Sequence, residues 1–146
     1  MKNTALYEQD FFAWTLQNAQ LLREGNLSEA DILNIAEELE SMGKHDKRAL
    51  LSRLTVLLMH LLKWQYQVSF RSKSWELTIK EQRRQIEKLL KDSPSLKRYL
   101  YDEGIHETFA DALEIACDET GLPGTAFPEY CPYRMEQLLD KQFFPD

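Results

Sequence analysis

The chain has 146 residues, 43% hydrophobic and 29% charged, with a net charge of −6. That composition suits one domain with its own core and excludes a disordered or collagen-like chain. Five glycines and five prolines are too few for the frequent turns of a sandwich or barrel. No run approaches the roughly 18 apolar residues of a membrane span, and Met1-Lys2-Asn3-Thr4 leads into no stretch of signal-peptide length. A cytoplasmic protein without a membrane segment is expected. Cys117 and Cys131 are too few and too far apart for a disulfide framework or a short-spaced zinc motif, so both are expected as thiols.

The spacing predicts a first helix over Tyr7–Glu24, ended by Gly25-Asn26. Ser28 is a good N-cap, with Asp31 three residues on. A second helix then runs to Met42, with Ile32, Ile35, Ala36, Leu39 and Met42 at the three-to-four spacing of a buried stripe, and Gly43 closes it. The third helix, Lys44–Gln67, is apolar on nearly every side from Leu50 to Trp64, which marks a helix surrounded by others. After the linker Val68–Lys73, Ser74 caps a fourth helix, Trp75–Lys91. A fifth stretch, Pro94–Cys117, is expected to bend near Gly104. Gly121-Leu122-Pro123-Gly124 breaks it, Phe127-Pro128 and Cys131-Pro132 hold an extended crossing, and a last helix spans Pro132 to about Lys141. The expected fold is all-α: an irregular single-domain bundle (residues 1–146) of five to six helices around the central apolar helix 44–67.

Charge is unevenly spread. Lys63–Arg98 carries ten basic and four acidic residues, whereas Tyr99–Asp146 carries two basic and eleven acidic. Such asymmetry points to an anionic partner for the basic stretch, or to pairing with an acidic segment of this or another chain. Between Lys63 and Trp75 cations alternate with aromatic rings, a composition that suits single-stranded nucleic acid. The bland alternative puts Trp64 and Trp75 in the core, and lets Lys80, Arg84, Lys88 and Lys91 pair with Glu107, Asp111, Glu114 and Asp118.

Catalytic and metal patterns are sparse. A di-iron bundle needs two Glu-x-x-His pairs, and only Glu103-x-x-His106 has the spacing. No nucleophile elbow or phosphate-binding glycine loop occurs. No metal, cofactor or enzymatic activity is therefore expected. His60, alone in an apolar helix, reads more readily as a hydrogen-bonded core residue than as a ligand or base. As a functional group it needs a carboxylate from Glu37-Glu38-Leu39-Glu40 to fix its tautomer. That cluster reads as a solvated face, unless Glu38 or Glu40 turns inward to meet Arg71, Arg83 or His60.

Several blocks in order carry a resemblance: Tyr7-x-x-Asp10-Phe11-x-x-Trp14, Leu21-Leu22-Arg23-x-Gly25, Glu37 to Gly43 and His60 to Gln67. Beyond them come Arg71-x-x-Ser74-Trp75-x-x-Thr78-Ile79-x-x-Gln82-Arg83, Pro94-Ser95-Leu96 and Phe127-Pro128-x-x-Cys131-Pro132-Tyr133. The chain resembles the bacterial family filed as domain of unknown function 29, common in cyanobacteria. Val68-Ser69 departs from it, since similar sequences tend to have Pro there. The resemblance implies an all-helical fold and no assigned biochemistry. It singles out Glu38, His60, Arg71, Trp75 and Arg83 as a binding site, or as a buried polar network that docks the helices. Function is left open among a protein-binding or homo-oligomeric module, nucleic-acid binding through residues 63–98, and a metal protein or enzyme centred on Glu38 and His60.

Overall fold

The computed structural model describes residues 3–146, leaving aside the side chains of residues 3, 4, 102 and 103. It is all-helical: α1 (Asn3–Gln9), α2 (Phe11–Arg23), α3 (Ile32–Tyr66), α4 (Lys73–Asp92), α5 (Lys97–Tyr99), α6 (Ile105–Thr120) and α7 (Met135–Leu139). The chain divides into two compact units, one up to His45 and one from Asp46 onward.

In the first unit, the expected helix over Tyr7–Glu24 is two helices. Asp10 separates them, because its carboxylate accepts from Ala13 N at 3.1 Å and so starts α2 afresh. Gly25 ends α2 as expected, in the left-handed region at φ 73°, and Asn26 N returns to the Leu21 carbonyl at 2.9 Å. Ser28 does not cap the next helix. Its hydroxyl donates to Asn26 Oδ1, and α3 begins only at Ile32, after Asp31.

Asp31 and Trp14 are the keystone of this unit. Trp14 Nε1 donates to Asp31 Oδ2 at 2.9 Å, and Asn34 donates to the same oxygen. Asn18 accepts from Asp31 N and donates to the Trp14 carbonyl. Trp14, Asn18 and Asp31 are all buried, so each polar atom meets the requirement that buried groups be paired. Tyr7 packs edge-on against Trp14, with ring centroids 4.8 Å apart.

Two expectations fail here together. Gly43 does not close a helix, and α3 runs through it as one element of 35 residues. A glycine in an exposed helix interior costs only about 1 kcal/mol relative to alanine, too little to stop a helix supported on both sides. Nor is the Ile32–Met42 stripe buried. Ile32 is 48% exposed, Leu39 62% and Met42 64%.

The second unit holds the core. From Leu50 to Lys63, α3 is buried on most sides, with Leu50, Leu54, Leu57, Leu58, Leu61 and Leu62 fully enclosed. Ile79 and Ile86 of α4, Ala112 and Ala116 of α6, and Leu138 of α7 pack into the same cluster. Ser72, rather than Ser74, caps α4, accepting from Trp75 N at 3.2 Å. The expected bend near Gly104 is a π-helical turn over Leu100–Gly104. A Cβ at Gly104 would lie 2.4 Å from the Tyr99 carbonyl oxygen, so only glycine fits this approach. Gly121 ends α6 at φ 74°, and Phe127 holds the extended crossing before α7.

Candidate functional site

Four of the five singled-out residues lie in the second unit, where the end of α3, the start of α4 and residues 137–145 meet. Arg83 is 2% exposed. Its Nε donates to the Leu138 carbonyl at 2.8 Å, Nη1 to Phe143 O at 2.7 Å and Nη2 to Gln137 O at 3.2 Å. Helix ends leave their last carbonyls short of partners, and the planar guanidinium gathers those of Gln137 and Leu138 in α7, with that of Phe143 beyond it, in one fork. Burial lowers its pKa to about 10, against the pull of Asp140. It therefore stays charged at neutral pH.

Arg71 does the same work at the end of α3. Its Nε donates to the Trp64 carbonyl at 2.7 Å and its Nη2 to Pro145 O at 3.4 Å, while the guanidinium lies 5.0 Å from the Trp64 ring centre. Trp64 also meets Phe144 at 5.0 Å, and Arg83 approaches that same Phe144 ring at 5.6 Å. The two arginines thus hold one short segment, residues 137–145, by main-chain carbonyls and aromatic faces.

Trp75 belongs to a neighbouring cluster built on Lys63, which is 6% exposed within the apolar stretch of α3. Lys63 Nζ lies 4.7 Å from the Trp75 ring centre and 3.0 Å from Glu119 Oε1. A buried ammonium is tolerated only with such partners. In sequence Lys63 groups with the cations of residues 63–75; the signal of its burial is a charge set between Leu62 and Trp64 in an otherwise apolar run. Tyr133, likewise missed, donates to Gln65 Oε1 at 2.8 Å and reaches the Leu61 carbonyl at 3.2 Å.

His60 is half-buried one turn before Lys63. Its Nδ1 lies 2.9 Å from the Val56 carbonyl. Because a carbonyl only accepts, Nδ1 carries the proton and Nε2 is left as the basic nitrogen. The tautomer is fixed by main chain, without a carboxylate. Burial first, and then the Lys63 charge, lower its pKa below 6.5, opposed by the Val56 bond and by Glu119. The folded chain therefore favours neutral imidazole. Its contribution to stability is present above pH 6.5 and is lost as the pH falls below that value, where the unfolded chain takes up the proton first. Urea midpoints are expected to drop as the pH falls below 6.5, and His60→Gln to flatten that slope. An unchanged slope in the variant would remove His60 as its source.

Glu38 lies in the first unit and accepts a hydrogen bond from the Tyr7 hydroxyl. That bond, with some burial and the nearby Glu37 and Glu8 charges, raises the Tyr7 pKa to about 12. Glu38 thus belongs to the first unit and the other four residues to the second. On α4, Lys80 bonds Glu76 at 3.4 Å and Arg84 bonds Glu81 at 2.8 Å, rather than the acids of α6.

A cavity of about 300 Å³ is bordered by Lys80, Arg83, Arg84, Lys141 and Gln142. A cleft of about 600 Å³ lies between Arg48–Val56 of α3 and Glu107–Ile115 of α6; its lining includes none of the residues singled out, though Val56 is the partner of His60. His106, exposed, lines a third hollow with Cys131 and Tyr133; the Glu103 side chain lies outside the described residues. Among the described residues, no three His, Cys, Asp or Glu side chains converge as a metal site, and no helix is long and apolar enough to cross a membrane.

These features define a class: all-helical, with arginine-clamped carbonyls and an aromatic–cation core seam. The family model described as "Domain of unknown function DUF29" matches residues 6–144, and the chain belongs to that family. No curated protein and no solved structure matches it.

Proposed function

We propose that the protein is a non-enzymatic protein–protein interaction module that binds through the apolar faces of its first unit. One observation carries this reading. Among the described residues up to His45, Trp14 is the only buried apolar side chain, while Phe12 is 72% exposed, Leu16 58%, Leu33 84%, Leu39 62% and Met42 64%. A soluble chain that leaves this much apolar surface uncovered has a use for it.

Other features agree with this reading. Arg71, Arg83, Trp75 and His60 engage carbonyls, rings and charges of the chain itself, which makes them docking residues for α3, α4 and the C-terminal segment. The nucleic-acid alternative needs a row of open rings for bases to stack on, yet Trp64 carries Arg71 and Phe144, Trp75 carries Lys63 and Tyr66 meets Phe127, which leaves Phe70 as the open ring between Lys63 and Trp75. Both cysteines are free thiols, consistent with a cytoplasmic location.

The test is capture of the tagged full-length chain's complexes from its own lysate, beside a Leu39→Asp/Met42→Asp variant. Both positions are exposed, so the variant is expected to fold normally by circular dichroism. A complex lost in the variant supports the module. Identical recovery, or no protein complex and no self-association in either form, overturns it.

A further inference from the structure

The small cavity beside the Arg83 clamp is bordered by five residues: Lys80, Arg83 and Arg84 of α4, with Lys141 and Gln142 of the closing segment. Four are cations and none is an acid, in a chain whose net charge is −6. Arg83 is the fixed member of the set. It is 2% exposed and, among the described residues, makes no ion pair; Asp140 acts on it only at longer range. Its three nitrogens each donate one hydrogen to a carbonyl, but a guanidinium carries five. Two N–H groups, one on each Nη, therefore remain over in a side chain that borders the cavity.

The other three cations can be recruited. Lys80, Arg84 and Lys141 are exposed and pair with Glu76, Glu81 and Glu87. Surface pairs of this kind contribute little, so an anion entering the cavity competes with those glutamates at small cost. Between the charges the walls are mainly the hydrocarbon stems of the same side chains, as lysine and arginine keep only their heads in water. A bare ion would leave these walls uncovered. The volume of about 300 Å³ sits at the lower end for small-molecule sites and takes a single ring with its head group. A phosphate monoester head suits the donors better than a carboxylate does. It carries nearly two negative charges and three acceptor oxygens, against one charge and two oxygens.

We propose that this cavity binds a small phosphate monoester with a compact apolar body, its phosphate held by Arg83 together with Lys80, Arg84 and Lys141. The site lies in the second unit, so it stands or falls independently of the interaction-module reading. The test uses phenyl phosphate with the full-length protein, read by calorimetry and by phosphorus NMR. One saturable site per chain is expected. Arg84→Ala/Lys141→Ala is expected to weaken it by about tenfold. Both positions are exposed and outside the Arg83 clamp, so the variant is expected to keep its fold by circular dichroism. Lys88→Ala/Lys91→Ala removes the same charge elsewhere on α4 and is expected to change the affinity by less than about twofold. Benzoate, which keeps the ring but has a single charge, is expected to bind about tenfold more weakly than phenyl phosphate.

No saturable binding at about 10 mM phenyl phosphate overturns the proposal. So does an equal loss in the two double variants, which would mean attraction by overall charge rather than by this cavity. Benzoate bound as tightly as phenyl phosphate overturns the monoester assignment. A single-stranded oligonucleotide that displaces phenyl phosphate at equal phosphate concentration replaces the small ligand with a polymer and overturns it too.

Discussion

Arg83→Met is expected to destabilise the second unit by about 3 kcal/mol. Three hydrogen bonds are lost at once, to the carbonyls of Leu138, Phe143 and Gln137; Gln137 keeps a longer bond from Asp140 N, and the bond to Leu138 is the fully buried one. Leaving a buried acceptor unpaired costs about 1–3 kcal/mol. Two of the three bonds are only partly buried, so water recovers some of that loss, and removing a desolvated charge returns a little more. The balance still falls well on the side of destabilisation. Arg83→Lys is expected to recover less than half, since a single ammonium cannot reproduce the three-way fork. Urea unfolding gives the magnitude. Limited proteolysis gives the place, with new cleavage expected after residue 137. A loss under about 1 kcal/mol with an uncut segment would mean that the clamp is incidental.

The second large effect is expected at Trp14. Truncating a buried tryptophan to alanine ordinarily costs about 3–5 kcal/mol. Trp14 is the only buried apolar side chain described in its unit, and its indole also pairs Asp31, which starts α3. A unit of this size has little else to hold it. Trp14→Ala is therefore expected to melt α2 and the beginning of α3 while leaving the leucine core of the second unit folded. Hydrogen exchange resolves the two. Amides from Phe11 to Arg23 should lose protection, and those from Leu50 to Leu62 should keep it. Undiminished protection in α2 would show that the unit is supported by something other than this indole. The milder Trp14→Phe keeps most of the apolar area and separates packing from the Asp31 hydrogen bond.

Much of the fold was legible because local chemistry decided it. The leucines from Leu50 to Leu62 leave no polar side to face water, so that stretch had to be enclosed. Gly25 and Gly121 end helices for a backbone reason that composition cannot disguise. What misled was periodicity without context. The Ile32–Met42 spacing identifies an apolar face but says nothing of what covers it, and this chain does not bury it. At Gly43 a weak breaker met a strong helical context and lost. At Asp10 the reverse held, as one well-placed carboxylate split an otherwise continuous pattern.

Of the residues singled out, Arg71, Arg83, Trp75 and His60 lie in the second unit, and their partners are main-chain carbonyls, rings and the buried Lys63 ammonium, none of which carries a sequence signature. Lys63 and Glu119 are 56 positions apart, and nothing local announces their pairing. Glu38, grouped with the others as a possible carboxylate partner and by the resemblance, bonds Tyr7 in the first unit.

The arginine clamps also bear on biosynthesis. All three acceptors of Arg83, and the Pro145 acceptor of Arg71, lie 54 to 74 residues further along the chain. Synthesis proceeds from the N-terminus, so α3 and α4 emerge with the Arg83 guanidinium still hydrated and its eventual acceptors untranslated, while Arg71 can reach only the Trp64 carbonyl. The second unit therefore cannot finish folding as its helices appear. It must wait for residues 137–145, and until then a nascent chain exposes its leucine seam to chaperones rather than to its own closing segment.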